Sequence, residues 1–134
     1  MSLRVLVVDD HFLNVKLLEA RMQLASHVAL TAMSGAEALD TLTRFRPDVV
    51  LLDVMMPGMD GYEVCRRIRA NPDTATLPVI MVTALDKESD RQAGLAAGAN
   101  EFLNKPVGDD VLFPVIERVI AEARAAGASN PAAA

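Results

Sequence analysis

Five short apolar runs alternate along the chain with segments of helical spacing. The runs cover residues 3–8, 28–33, 48–52, 77–82 and 101–103. The first, third and fourth runs are nearly continuous rather than alternating, which is typical of strands that are covered on both faces in a parallel sheet. The pattern therefore predicts five β-strands with a helix after each.

The segment after the first run predicts a helix with one apolar stripe. Its polar residues lie mostly on the other sides of the helical projection. The residues of the predicted stripe are Leu13, Leu17, Leu18, Met22 and Leu24. We expect this stripe to pack against the sheet.

Signals at the helix ends predict three further helices. Ser34 begins a capping-box pattern for the second helix, and Pro47 ends that helix. The third helix is predicted over residues 61–70. The fifth is predicted over residues 109–126, where Gly127 closes it.

The fourth helix, predicted over residues 86–97, carries few large apolar residues. Leu95 is the main one, and Gly94 lowers the helix propensity of the segment. We expect a weakly held helix that can move.

Repeated βα units predict an open, doubly wound α/β fold, because right-handed crossovers place helices on both faces of the sheet. We choose the flavodoxin-like (βα)5 sandwich, with five parallel strands in the order 2-1-3-4-5. The length predicts a single domain over residues 1–126, with 127–134 as a flexible tail or the stump of a linker. Whether the chain is a single-domain protein or a fragment of a longer one stays open.

Composition narrows the class of protein. Of the 134 residues, 51% are hydrophobic, which is enough for a packed core without disulfides. The net charge of −5 and the absence of a basic block argue against direct binding of nucleic acid. A single cysteine, Cys65, and the lack of a long apolar segment predict a cytoplasmic protein that does not enter the membrane.

Polar residues follow the predicted strands at one rim of the sheet, namely Asp9, Asp10, Asp53, Thr83 and Lys105. Taken singly, each has an ordinary explanation as a helix cap, a strand end or a surface lysine. Three carboxylates in one crevice repel each other unless a cation lies among them, and oxygen ligands suit Mg²⁺ or Mn²⁺. With a lysine and a hydroxyl nearby, the set predicts phosphoryl transfer to Asp53, with the metal held by Asp9 and Asp10.

Four motifs then carry a family resemblance. LVVDD at 6–10, LLDVMMPGMDGYEV at 51–64, VIMVTALD at 79–86 and GANEFLNKPV at 98–107 resemble the receiver domain of two-component response regulators. The resemblance extends over about residues 3–124. It includes chemotaxis-regulator receivers and receivers attached to cyclic-di-GMP enzymes, such as the polar-development diguanylate cyclase.

The resemblance implies a role for each matching residue. Asp53 is the phosphoacceptor, and Mg²⁺ is held by Asp9, Asp10, Asp53 and the backbone carbonyl of Met55. The phosphoryl group is bound by Thr83, the backbone of Ala84 and Lys105. Phe102 is the switch aromatic, without the hydroxyl of a tyrosine, and the peptide bond before Pro106 is cis.

The resemblance also implies partners. A sensor histidine kinase or a phosphotransfer protein supplies the phosphoryl group, and an effector domain, a partner protein or a second copy binds the face formed by helix 4, strand 5 and helix 5. We expect no turnover of small substrates, only self-phosphorylation and slow dephosphorylation.

Two other functions remain as alternatives. A receiver-like module that binds proteins without phosphorylation would lack one of the key residues, and none is missing here. A phosphatase of the haloacid-dehalogenase type needs a second aspartate two residues after the nucleophile, where this chain has Met55.

Overall fold

The computed structural model describes residues 2–128 and contains one five-stranded parallel sheet. Its strands are β1 (Arg4–Val8), β2 (Val28–Ala32), β3 (Val49–Leu52), β4 (Val79–Thr83) and β5 (Glu101–Asn104). The spatial order is β2-β1-β3-β4-β5, and every neighbouring pair is parallel. The predicted fold class and strand order are confirmed.

Five helices cover the two faces of this sheet. They are α1 (Phe12–Leu24), α2 (Gly35–Leu42), α3 (Gly61–Ala70), α4 (Glu88–Ala97) and α5 (Asp109–Ala128). α2, α3 and α4 pack into one hydrophobic cluster, and α1 and α5 pack into the cluster on the other face. The strands are therefore sandwiched, as continuous apolar runs require.

Burial along the strands explains the sequence pattern. Every residue of β3 and of β4 is buried, because helices lie on both sides of these central strands. β2 lies at the edge of the sheet and alternates between exposed and half-buried positions until Ala32, which is buried. β5, at the other edge, likewise has a single buried residue, Phe102.

The predicted stripe of α1 was partly wrong. The helix buries Leu18 and Met22 as predicted, but its third buried residue is Val15. These three stand at positions i, i+3 and i+7, which define one helical face. The remaining residues of the predicted stripe are exposed to solvent: Leu13, Leu17 and Leu24. Apolar residues occur on more than one side of this helix. The sequence alone therefore does not show which side faces the sheet.

Helix ends differ from the predictions by a few residues. Ser34 caps α2 as predicted, since its Oγ accepts a hydrogen bond from the backbone N–H of Glu37 at 3.1 Å. However, α2 ends at Leu42, well before Pro47, and the chain turns there as the Thr43 hydroxyl donates to the Asp40 carbonyl at 2.6 Å. Side chains that bond to nearby backbone groups compete with a continuing helix in this way.

The chain end bears on the predicted tail. α5 continues through Gly127 to Ala128, so this glycine does not close the helix. The rest of the predicted tail, residues 129–134, lies outside the described residues, and the domain boundary at 126 stays a prediction. Among residues 2–128, no helix combines the length and the apolarity that crossing a bilayer would require.

Candidate functional site

The strand order brings the predicted polar residues to one edge of the sheet. Asp9 follows β1 and Asp53 follows β3, two strands that pair directly with Val8 opposite Leu52. The backbone N–H of Asp53 donates to the carbonyl of Val8 at 2.9 Å, which fixes the register of the two aspartates. Their side chains therefore lie side by side at the switch point between β1 and β3, where such sheets bind ligands.

Lys105, which follows β5, reaches across this edge to both carboxylates. Its Nζ lies 2.5 Å from Oδ2 of Asp9 and 3.3 Å from Oδ2 of Asp53. The two aspartates are 1% and 5% exposed, so these ion pairs are screened little by water. The ammonium thus lies where it can neutralise negative charge next to Asp53.

The pKa of Asp9 reflects this environment. Burial by itself raises the pKa of this carboxyl, but hydrogen bonds from Lys105 and from the backbone N–H of His11 lower it further than burial raises it. The net pKa lies below the ordinary aspartate value, so Asp9 is ionised at neutral pH. It is then available as an anionic ligand.

Four side chains can offer ligand atoms to a single cation. Atoms of Asp9, Asp10, His11 and Asp53 lie within 4.8 Å of one another. Oδ1 of Asp10 is buried and, within the described part of the chain, forms no hydrogen bond, although Nδ1 of His11 lies 3.1 Å from it. A buried anionic oxygen without a donor is costly, and a cation among these oxygens would remove that cost. The donor set therefore fits the predicted divalent metal.

The loop after Asp53 is fixed at both of its ends. Oδ1 of Asp53 accepts a hydrogen bond from the backbone N–H of Val54 at 2.7 Å. At the far end, the Asp60 side chain caps α3 by accepting from the N–H of Glu63 at 2.9 Å. Between them, Met55 is 59% exposed and helps to line an open cleft of about 520 Å³ beside Asp10 and His11. The backbone around Met55 is thus held next to the carboxylates.

Gly61, the first residue of α3, allows a close approach to the backbone at the end of β3. A Cβ atom at this position would lie 2.3 Å from the backbone oxygen of Asp53 and 2.7 Å from Cα of Val54. Neither atom can move without displacing the end of β3. The first turn of α3 therefore rests directly on the backbone that carries Asp53.

Thr83 and the turn after it lie on the opposite side of Asp53, at the end of β4. The Thr83 side chain is fully buried, and its Oγ1 accepts a hydrogen bond from the N–H of Leu85 at 3.3 Å. Ala84, between them, is exposed. The side-chain amide of Asn104 donates to the carbonyl of Leu85, which ties the same turn to β5. The hydroxyl of Thr83 is thus engaged only by its own turn in the described residues.

Phe102 lies below α4 in the buried cluster. Its side chain is 6% exposed, and its ring contacts the helix where Gly94 leaves space. A Cβ atom at Gly94 would lie 2.8 Å from Cδ2 of Phe102 and 2.9 Å from Sδ of Met81. The predicted switch aromatic is therefore in contact with the predicted movable helix.

Some residues around the site were not anticipated. Arg21 of α1 donates to the carbonyl of Val107 at 2.8 Å and pairs with Asp109 at 2.6 Å, which holds the loop after β5. The hydroxyl of Tyr62 donates to the carbonyl of Asp90 at 3.1 Å and joins α3 to α4. These contacts span 28 to 88 positions in sequence, and no local pattern signals them. The peptide bond before Pro106 is cis, the geometry that the resemblance implies.

Comparison with protein families and curated proteins gives a consistent result. A family model described as the response regulator receiver domain matches residues 5–117. The response regulator PleD of Caulobacter vibrioides is 51% identical to the chain over 113 residues, which make up 84% of this chain and 25% of PleD. The chain thus spans about a quarter of the length of that relative.

Solved structures match over nearly the whole described chain. The chemotaxis protein CheY4 of Vibrio cholerae superposes with a TM-score of 0.83 and 32% identity, covering 89% of this chain and 99% of that one. The receiver domain of a sensor histidine kinase from Pseudomonas aeruginosa matches with a TM-score of 0.83 and 30% identity, covering 90% and 99%. In that protein a magnesium ion is coordinated in the active-site cleft.

Proposed function

The chain belongs to the family of response regulator receiver domains of two-component systems, and from this we propose that Asp53 accepts a phosphoryl group from a phosphohistidine donor. The observation that carries the proposal is the position of the Lys105 ammonium, 3.3 Å from Oδ2 of Asp53 and 2.5 Å from Oδ2 of Asp9. A nucleophilic carboxylate is thereby placed beside a fixed positive charge. Phosphoryl transfer depends mainly on such positioning and charge stabilisation.

The charge of the cluster supports a divalent cation as its cofactor. The three carboxylates of Asp9, Asp10 and Asp53 face one ammonium, that of Lys105, so two negative charges are left uncompensated. We assign Mg²⁺ to this position, with Mn²⁺ as a substitute, held by these carboxylates and by the backbone carbonyl of Met55. When bound, the ion supplies positive charge to the oxygens of the phosphoryl group.

The transfer step follows from the residues present. One carboxylate oxygen of Asp53 attacks the phosphorus of the donor, the bond between phosphorus and the imidazole nitrogen breaks, and an acyl phosphate forms. The donor imidazole leaves with the electron pair of that bond and takes up a proton. Lys105 pairs with an oxygen of the transferred group, while Asp9 keeps the lysine in position.

The response of the fold begins at Thr83. A phosphoryl group on Asp53 brings additional negative charge and strong acceptors, and the Thr83 hydroxyl and the Ala84 N–H donate to them. The hydroxyl then leaves its contact with the N–H of Leu85, and the turn before α4 moves with it. Phe102, which contacts α4 at Gly94, transmits this movement to the face of α4, β5 and α5.

This role sets the partners. A sensor histidine kinase or a phosphotransfer protein of the cytoplasm is the donor, and an effector domain, a partner protein or a second copy binds the changed face. The chain catalyses only its own phosphorylation and a slow hydrolysis of the acyl phosphate. It has no small-molecule substrate to turn over.

The test is the intact mass of the protein after incubation with acetyl phosphate, with and without Mg²⁺. We expect a gain of one phosphoryl group that requires Mg²⁺ and disappears in Asp53→Asn. The matched control is Asp60→Asn, because this residue caps α3 near the site and asparagine is an equally good cap. The control should gain the phosphoryl group as the wild type does.

Three results would overturn the proposal. A wild-type protein that gains no phosphoryl group under either condition would be a receiver-like module that binds proteins without phosphorylation. An Asp53→Asn variant that is still phosphorylated would move the acceptor to another residue. Continuous release of phosphate from small phosphate esters would indicate a phosphatase instead.

A further inference from the structure

His11 lies at the edge of the carboxylate pocket and does not cap the helix that it precedes. It occupies the N-cap position of α1, yet its side chain makes no capping hydrogen bond. Its Nδ1 instead lies 3.1 Å from Oδ1 of Asp10 and 3.3 Å from Oδ1 of Asp9. The imidazole is therefore turned back toward the pocket rather than along the helix.

These separations match those of neighbouring ligands on one ion. Ligands at about 2.1 Å from a six-coordinate ion, at right angles to each other, are about 3.0 Å apart. The distances from Nδ1 to the two carboxylate oxygens are close to that value. Without an ion, Nδ1 is in hydrogen-bond contact with the Asp9 oxygen. The Asp10 oxygen in this triangle is buried and forms no hydrogen bond among the described residues, in spite of its contact with Nδ1.

A nitrogen ligand changes which ions a pocket prefers. Mg²⁺ favours oxygen ligands and water, whereas imidazole suits first-row transition ions. A pocket of carboxylates alone distinguishes Mg²⁺ from transition ions mainly by the general affinity order of these ions. An added imidazole ligand increases the preference for the transition ions.

We propose that His11 is a further ligand of this pocket, binding through Nδ1 to the same ion as Asp9, Asp10 and Asp53, and that it shifts the metal preference from Mg²⁺ toward Mn²⁺ and Co²⁺. The inference rests on the metal pocket of the proposed function. It does not depend on phosphorylation, because the ion binds before any phosphoryl donor is present.

The first measurement is the affinity of the unphosphorylated protein for Mg²⁺, Mn²⁺ and Co²⁺ by calorimetric titration. The variant is His11→Phe, which keeps a planar ring and removes both nitrogens. We expect its affinity for Co²⁺ to fall at least about tenfold. Loss of a residue that only hydrogen-bonds a metal ligand already lowers metal affinity by about that factor, and His11 would be a ligand itself. Its affinity for Mg²⁺ should change less than twofold. Equal losses for all ions, or no loss, would overturn the inference.

The second measurement reports the bond itself, and its main readout is on the wild type, so it does not depend on how well a variant folds. Pulsed electron paramagnetic resonance of the Mn²⁺-bound wild type, labelled with ¹⁵N-histidine, should show coupling between the ion and an imidazole nitrogen. The chain has two histidines, and His27 offers a matched control. His27→Phe should keep the coupling and His11→Phe should lose it.

The outcomes distinguish a failure of this inference from a failure of the proposed function. Mg²⁺ binding and phosphorylation without nitrogen coupling would overturn the role of His11 and leave the proposed function intact. A wild type that binds none of the three ions would overturn both.

Discussion

α3 and α4 lie next to each other on the same face of the sheet and have the same length, yet they are attached to it very differently. α3 buries the apolar side chains of Val64, Cys65 and Ile68. α4 buries only Gly94 and Ala97, which offer almost no apolar surface. Burial of apolar surface is the main contribution that attaches a helix to a sheet. The free energy of packing therefore differs between the two helices by several kcal/mol.

The helix starts repeat this contrast. Asp60 caps α3 through its side chain, and the negative charge is also favourable at that end of a helix. Lys87 holds the same position before α4, where its positive charge is unfavourable and its side chain makes no capping hydrogen bond. The only support of this kind at α4 among the described residues is the carboxylate of Asp90, which accepts from the N–H of Lys87 at 3.2 Å.

The difference assigns separate tasks to the two helices. α3 rests through Gly61 on the backbone of Asp53 and restrains the position of this proposed phosphoacceptor. α4 follows the turn after Thr83 and approaches Phe102 at Gly94, so the proposed movement of that turn would pass to α4. The proposed switching requires one neighbour of Asp53 that stays in place and one that moves, and the attachments of α3 and α4 differ in that sense.

The largest expected effect is the loss of core packing under α3. Ile68→Ala should lower the free energy of unfolding by about 3 kcal/mol, because a 1% exposed side chain leaves a cavity that its surroundings only partly fill. The paired variant in α4, Leu95→Ala, removes a half-buried side chain and should cost about 1 kcal/mol. Urea unfolding of both variants gives the comparison, and equal losses would contradict the contrast between the helices.

A slightly smaller effect is expected where α3 meets the site. Gly61→Ala should cost about 2 to 3 kcal/mol, because the added methyl group meets backbone atoms that cannot rotate away. It should also slow phosphorylation by acetyl phosphate, since relief of the clash displaces Asp53. The control is Gly58→Ala, at a glycine with φ of +75° and no neighbour within 4 Å, which should cost about 1 kcal/mol through backbone strain alone. A Gly61→Ala loss no greater than that of the control would show that the close approach is not a constraint.

The sequence alone predicted the parts of the molecule that depend on local pattern. Continuous apolar runs located β3 and β4, which are buried on both faces, and turn or capping residues located the starts of α2 and α3. The site followed from the strand ends, because residues after parallel strands meet at one edge whatever the details of packing. That rule placed Lys105 at the same edge as the aspartates, whereas its ion pairs with Asp9 and Asp53 are seen only in the structure.

Other features depend on tertiary packing that no local pattern records. The face of α1 was misjudged because Val15 is buried while the larger Leu17 is exposed, and only the position of the sheet decides between them. The contact of Arg21 with the loop after β5 joins residues that are 86 positions apart. The orientation of His11 also depends on the folded structure, because the sequence places this residue next to two aspartates without showing which way its imidazole turns.

The contact between α4 and Phe102, the proposed switch aromatic, predicts a moderate effect. Gly94→Ala should cost about 1 kcal/mol, the clash with Phe102 and Met81 being only partly offset by the higher helix propensity of alanine. Both neighbours are side chains with room to adjust, unlike the backbone beneath Gly61. In a Phe102→Leu background the cost should fall below about 0.5 kcal/mol, which a double-mutant cycle measures. If the losses of Gly94→Ala and Phe102→Leu are additive, the two positions do not interact energetically.

The smallest expected effect tests whether the weak attachment of α4 is set at Lys87, the residue before its first turn. Lys87→Ser places a hydroxyl where the backbone is already extended and removes a positive charge from the helix start, so it should stabilise the protein by about 0.5 to 1 kcal/mol. Lys87→Ala removes the charge without adding a cap, and the difference between the two variants isolates the capping bond. Hydrogen exchange should slow over Glu88–Ala97 and stay unchanged over Gly61–Ala70. Slower exchange in both helices would mean that α3 and α4 open as one unit. In that case α3 would not be the fixed neighbour of Asp53.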